Sequence, residues 1–255
     1  MIAESTPLRS GYSFPAEWEP HRATWLSYPH SDSYSWPGAL DAIFPSYDLF
    51  IKELTKGERV SINVRDEALA REVQNRLLGL GVDTTRIDCF IHPTNDAWCR
   101  DHGPAFLVNR KAEIPKVIVS WKYNAWGDKY PHALDEKIPG LIGRSLNLPV
   151  YYPGIVMEGG AVEFNGNGTL LTTTRCLLHE NRNPHLDQQK IEEYLCHYYG
   201  VTQVLWLDEG IEGDDTNGHI DDIARFFRED AVVTMVEPRR SDENHAVLDK
   251  VLKKL

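Results

Sequence analysis

The chain lacks several features that would place it in a special class. No stretch reaches the run of about 18 apolar residues that a membrane-spanning helix needs, so no membrane partner is expected. Residues 1–10 show no positive region followed by an apolar one, so no secretory signal is read. There is no low-complexity segment, long linker or Cys-x-x-Cys pair. The four cysteines, Cys89, Cys99, Cys176 and Cys196, are scattered, and a chain this long does not need disulfide staples. A reduced, cytoplasmic setting is the expectation. Basic residues are in deficit, giving a formal net charge of −11, which argues against a nucleic-acid partner. An acidic surface favours encounter with a small cation only through a weak long-range field, and it also simply keeps a protein soluble. With 255 residues, 42% of them apolar, the chain can form one large domain or two small ones.

What is present is a recurring α/β rhythm. Segment 59–64 (RVSINV) reads as a strand. Segment 66–80 has helical apolar spacing and ends at Gly81, and 86–91 reads as a strand again. Paired strands follow at 104–109 and 116–121, then a helix over 135–147 and a short strand at 149–152. Next come a hairpin, 161–165 with 169–173, across Asn165-Gly-Asn-Gly168, a helix over 187–199 and a strand at 203–207. Strands at 223–228 and 231–236 and a helix over 242–255 close the reading. The repeated unit is strand, strand, helix, strand, with a polar, glycine-rich junction after each. From Asp101 to Glu158 is 57 positions and from Glu158 to His219 is 61, a spacing that suggests repeated supersecondary units. The expectation is a single domain over 1–255 with three complete units and most of a fourth, whose closing strand is missing. The alternative is that 242–255 is an ordinary C-terminal helix.

The junctions carry the candidate chemistry. In 214–222 (DDTNGHIDD), His219 and Asp221 stand two apart, which in extended chain puts them on one face. A histidine beside a carboxylate suits general acid/base work. The same string also reads as a polar loop with turn-capping aspartates, and only thinly as a metal site, because no second histidine is near. In 95–104 (NDAWCRDHGP), Asp101 could hold a planar cation while Trp98 offers a π-face. Alternatively, Arg100 and Asp101 form a structural pair and Trp98 fills the core. Glu158-Gly159-Gly160 follows an apolar run, and the glycines permit close approach, or the string is a plain turn. Together these junctions gather three acids and a histidine. Such acids repel one another unless a cation receives them. A guanidinium, planar and permanently charged with five N–H donors, suits two or three carboxylates.

These strings resemble the agmatine deiminases, the bacterial-type peptidyl-arginine deiminase family within the guanidino-group-modifying (pentein) superfamily. The resemblance runs from Phe14-Pro-Ala-Glu-Trp-Glu-Pro-His21 and Ala23-Thr-Trp25 through the 95–104 string, Asn124-Ala-Trp-Gly127, Met157-Glu-Gly-Gly160 and Thr169-Leu-Leu-Thr-Thr-Thr174. It continues through Glu180-Asn-Arg-Asn-Pro-His185, Ile191-Glu-Glu-Tyr-Leu195 and Asp215-Thr-Asn-Gly-His-Ile-Asp221. It implies a pentein α/β propeller of five strand-strand-helix-strand units about a pseudo-fivefold axis, here incomplete at the C-terminus. It implies that Asp101 and Asp221 hold the guanidinium, that His219 is the general acid/base, that Glu158 orients the site and that Trp98 packs beside the substrate. The implied reaction converts agmatine to N-carbamoylputrescine and ammonia, within putrescine and polyamine synthesis, through a covalent cysteine and without cofactor or metal.

The chain departs from the family in one respect. The family's Gly-Gly-Gly-x-x-His-Cys segment is absent. Cys99 should point away from Asp101 by alternation, and Cys89, Cys176 and Cys196 lie in apolar or helical settings that favour inert thiols. Continued spacing puts two further junctions at about 280 and about 340. The expectation is therefore a C-terminally truncated form, with the nucleophile beyond Leu255. Peptidyl-arginine or free-arginine deimination is the second enzymatic reading, and a non-catalytic guanidine-binding protein is the third. A homo-oligomer is left open.

Overall fold

In the computed structural model, which describes residues 2–255, the chain forms four small sheets separated by helices. The first holds β1 (Ala23–Ser27), β2 (Arg59–Val64) and β3 (Ile87–Ile91), all parallel, with β2 central. Its helices are Leu40–Leu54, between β1 and β2, and Glu67–Gly79, between β2 and β3. Because β2 is covered on both faces and both edges, five of its six residues are buried, and it reads as a continuous run rather than an alternating one. The helix that follows it starts where Asp66 caps the Leu69 amide at 2.8 Å, and it buries Leu69, Ala70, Val73 and Leu77 at helical spacing.

The second sheet holds β4 (Ala105–Val108), β5 (Lys116–Val119) and β6 (Val150–Tyr151), with helix Ile138–Leu146 between β5 and β6. β4 and β5 are antiparallel, and β6 adds parallel to β5. The third repeats this plan with β7 (Val162–Phe164), β8 (Thr169–Thr173) and β9 (Gln203–Leu207), the helix Gln188–Tyr199 joining β8 to β9. Its hairpin turns where Gly166 and Gly168 take φ of 72° and 87°, and Asn165 Oδ1 accepts from the Asn167 and Thr169 amides. The fourth group is the antiparallel pair β10 (Ala224–Arg228) and β11 (Ala231–Thr234), followed by helix His245–Lys254.

The strand-strand-helix-strand plan thus describes the second and third units. The first unit differs. Its opening strand, β1, reaches β2 through a helical crossover rather than a tight turn, and such a connection produces parallel pairing. The largest apolar cluster joins the second and third units through Leu107, Val119, Met157, Leu170, Leu195 and Tyr199. The N-terminal segment ties those two units together: Ser13 bridges to Val108, and the Phe14 amide donates to the Tyr199 carbonyl at 2.8 Å. Among the described residues, no helix is long and apolar enough to cross a membrane.

Three irregular segments join β3 to β4, β6 to β7 and β9 to β10. Each leaves the last strand of one sheet and enters the first strand of the next, and all three meet at one place.

Candidate functional site

Asp101 sits on a single helical turn, Cys99–His102, rather than on extended chain. Its Oδ1 accepts from the Gly160 amide at 2.9 Å and its Oδ2 from the Trp126 indole at 3.1 Å. Arg100 does not pair with it. That guanidinium turns instead to Asp221, Glu17 and Glu163 at 3.4, 3.3 and 3.5 Å. Trp98 is no core filler either. It is 40% exposed, faces Trp36 with ring centres 5.5 Å apart, and donates its indole N–H to Ser35 Oγ at 2.7 Å.

His219 is brought in by a loop that its own residues shape. Asp214 accepts from the Thr216, Gly218 and His219 amides at 2.7, 2.6 and 3.2 Å, and Thr173 Oγ1 donates to the Gly218 carbonyl at 2.6 Å. The buried ring lies between the acids: Nδ1 is 3.7 Å from Asp101 and 3.8 Å from Asp221, and Nε2 is 3.9 Å from Glu158. All four expected charged residues therefore converge. Gly160 forms the floor among them. A Cβ there would run into His219 Nδ1, Asp101 Oδ1 and Asp221 Oδ2, so only glycine lets the three groups converge this closely on the backbone.

The charges are strongly coupled. Burial opposes a charged imidazole, but Asp101, with Cys176 and Glu158 behind it, outweighs burial and pushes His219 well above its ordinary range. Glu158 would be raised by its burial, yet His219 and Arg182 hold it below the usual carboxylate range. Asp221 goes the other way. Burial, helped by the Asp101 charge, lifts it to about 6 against the pull of Arg100 and His219.

Three further residues belong to the site, and their chemistry was not evident in the sequence. Arg182 donates to Glu158 Oε1 at 2.7 Å with both side chains fully buried, and also to the Thr216 carbonyl at 2.7 Å and Asn217 Oδ1 at 2.9 Å. It clamps the acid to the histidine loop. Trp126 lies on a turn, Ala125–Asp128, whose four residues have φ of 47°, 58°, 101° and 58°. Three of these are not glycine, so the backbone is strained there, and the strain aims the indole at Asp101. Asn124 caps this turn by accepting from the Gly127 amide at 3.0 Å. Cys176 is the third. Its sulfur lies within 4.8 Å of ligand atoms of Glu158 and His219. Among the described residues, Glu158, Cys176 and His219 are the cluster that could offer ligands to a metal, but Arg182 already supplies Glu158 with a cation, and burial raises the thiol of Cys176. Burial also pushes the Cys99 thiol up to about 12 and that of Cys89 to about 11.

A cavity of about 440 Å³ abuts this cluster. It is lined by Asp101, Arg100, Glu17 and Glu163 together with apolar residues such as Trp25, Phe106 and Met157, and it does not reach His219, Glu158 or Asp221. The polar cluster over Gly160 and this cavity therefore adjoin at Asp101 without merging.

The family model of the Porphyromonas-type peptidyl-arginine deiminases matches residues 13–255. The chain belongs to that family. It is 35% identical over 249 residues to a Legionella pneumophila protein provisionally named agmatine deiminase, covering 96% of this chain and 68% of the relative. Among solved structures, it is similar to the Enterococcus faecalis agmatine deiminase, with a TM-score of 0.89 and 29% identity over 99% of this chain and 68% of that one. A substrate-bound, cysteine-to-serine variant of the C. jejuni agmatine deiminase gives a TM-score of 0.86 at 30% identity, covering 95% of this chain and 70% of that one. The mixed α/β fold is thus that of the agmatine and peptidyl-arginine deiminase structures.

Proposed function

We propose that this protein acts on agmatine, hydrolysing its guanidinium group to N-carbamoylputrescine and ammonia. The observation that carries this reading is the convergence of Asp101 Oδ1, Asp221 Oδ2 and His219 Nδ1 over Gly160, so close that no Cβ fits beneath them. Two carboxylates there suit the N–H edges of a planar cation. Asp101 and Asp221 hold the guanidinium, Trp98 walls the approach, and Glu158 orients His219. A cysteine thiolate forms a bond to the guanidinium carbon, and His219 gives its proton to the departing ammonia. His219 then takes a proton from water, which displaces the thiolate and leaves the ureido product. The attacking thiol of this proposal lies outside residues 1–255, because burial raises all four thiols of this chain and so disfavours the thiolate. We also assign residues 1–255 to one domain of repeated units about a pseudo-fivefold axis.

Ammonia release from agmatine by the protein carrying its nucleophile tests the reaction, and absence of release overturns it. Parallel rates on arginine and on a peptide ending in arginine separate agmatine from the peptidyl-arginine reading that the family name suggests. Calorimetry with agmatine on residues 1–255 tests the guanidinium site by itself.

A further inference from the structure

Asp101 and Asp221 both converge on Gly160 but are held differently. Asp101 is fixed by two hydrogen bonds, from Gly160 and Trp126. Among the described residues, the Asp221 carboxylate accepts none. Its backbone amide donates to the Gly160 carbonyl at 3.3 Å, and its Oδ1 lies 3.8 Å from His219 Nδ1. The remaining cation beside it is Arg100, whose Nε is 3.4 Å from Asp221 Oδ2.

Arg100 is anchored from both ends. Its carbonyl presses on Gly159, where a Cβ would have no room. Its guanidinium also reaches Glu17 and Glu163, and Arg225 meets the same two acids, at 2.7 Å for Glu163. Glu163 is buried and accepts from the Phe226 amide at 3.0 Å as well. Two arginines and two glutamates thus form a closed set, drawn from the N-terminal segment, the 99–102 turn, β7 and β10. Asp221 is attached to that set through Arg100.

We propose that Arg100 is a positioning residue that fixes the Asp221 carboxylate beside Asp101 and His219 and so sets its grip on a guanidinium. This rests on the guanidinium reading above. Arg100 need not touch the substrate. It supplies the positive charge that a half-buried aspartate next to another aspartate lacks. The charged groups facing Asp221 are Arg100 and Asp101 from the turn and His219 and Asp222 from its own loop. Glu17, Glu163 and Arg225 stand behind Arg100.

The test is agmatine binding by calorimetry to residues 1–255, from pH 5 to 8, for the wild type, Arg100→Gln and Arg100→Lys. His219 is common to all three, so its own titration cancels in the comparison. Wild-type affinity should strengthen as pH rises through about 6 and then level off. Arg100→Gln should bind about tenfold more weakly at pH 7, with the levelling point displaced upward by about one pH unit. Arg100→Lys should keep the wild-type levelling point and bind a few-fold more weakly, about threefold, because an ammonium replaces the charge but not the fork that reaches three acids. A purely structural role would not move the levelling point. An Arg100→Gln profile that superimposes on the wild type overturns the proposal and leaves the guanidinium site standing. If Arg100→Gln does not fold, Arg100→Lys with wild-type affinity overturns it. Absence of agmatine binding by the wild type removes the guanidinium reading and this proposal with it.

Discussion

Glu158 and Asp221 both lie within 4 Å of His219, at 3.9 and 3.8 Å, yet they inhabit opposite environments. Glu158 is sealed, with 0% of its side chain exposed, and is locked to an equally buried Arg182 at 2.7 Å. Asp221 is 18% exposed and looks to a part-exposed Arg100 at 3.4 Å. The first carboxylate is held below its usual range and the second is lifted to about 6. One imidazole is thus flanked by an acid that stays ionised and an acid poised to change charge. Such divergence is how neighbouring titratable groups acquire different tasks. The sealed side suits holding a proton on His219, and the open side suits receiving a cation.

The sealed side should break hardest. Arg182→Met leaves Glu158 buried without its partner, which costs about 3–5 kcal/mol of stability in chemical denaturation. Replacing Glu158 by Met in the same chain should restore most of the loss, since the uncompensated charge goes with it. Arg100→Gln on the open side should cost less, about 1 kcal/mol, because solvent screens its pair with Asp221 and Arg225 still meets Glu17 and Glu163. Equal losses from the two arginines would abolish the distinction between sealed and open.

Gly160→Ala tests the floor common to both sides. Its methyl group would run into Asp101, Asp221 and His219 where they converge. Agmatine binding by calorimetry should weaken by about 100-fold, roughly 2.7 kcal/mol. The stability cost should stay at about 1–3 kcal/mol, that of an overpacked methyl group. Undiminished binding would show that the cation does not lie on Gly160.

A smaller effect, opposite in sign, is expected from Asp221→Asn. The folded-state value near 6 exceeds the ordinary 3.8, so the folded chain binds the proton more tightly than the unfolded chain does. Ionised Asp221 therefore costs stability, fully above about pH 6 and not at all below the unfolded value. Asp221→Asn should stabilise by on the order of 1 kcal/mol at pH 8 and leave stability unchanged at pH 3.5, while agmatine binding is lost. Denaturation midpoints at the two pH values read this directly. A loss of stability at pH 8 would mean that the Arg100 pair outweighs burial.

Much of this contrast was hidden in the sequence, and the reasons differ by residue. Asp101, Glu158, His219 and Asp221 were legible because polar, glycine-bearing junctions interrupt strongly periodic apolar segments at near-even spacing. The second and third units were legible for the same reason, and the β9 segment over 203–207 is read with its observed bounds. The first sheet was not, because β1 is defined by pairing with β2 some 36 positions later, across a helix (from Ala23 to Arg59). Arg182 stood inside a quoted string without a role, since nothing local shows that it reaches back 24 positions to Glu158. Arg100 looked like a partner for its neighbour Asp101, and its actual partner lies 121 positions away (from 100 to 221). Trp126 was hidden by its backbone, because no periodicity rule anticipates alanine, tryptophan and aspartate at positive φ.

The smallest expected effect lies at the outermost rim of the open side. Trp98 is 40% exposed and contributes nothing to a buried cluster, so its removal should barely change stability, by about 0.5 kcal/mol or less. Its indole is held by Ser35 Oγ at 2.7 Å, and Ser35 in turn donates to Asp96 Oδ2, so the ring is presented at a fixed angle rather than lying free. A π-face at an exposed site attracts a cation by about 0.5–1 kcal/mol. Trp98→Leu should therefore weaken agmatine binding by about three- to fivefold, and Trp98→Phe by less, since Phe keeps a face but loses the bond to Ser35. Ser35→Ala should reproduce part of the Trp98→Leu loss without touching the ring itself. Loss of stability comparable to that of Arg182→Met would place Trp98 with the sealed side. Binding identical to wild type in Trp98→Leu would confine the open side to Asp101, Asp221 and the arginine behind it.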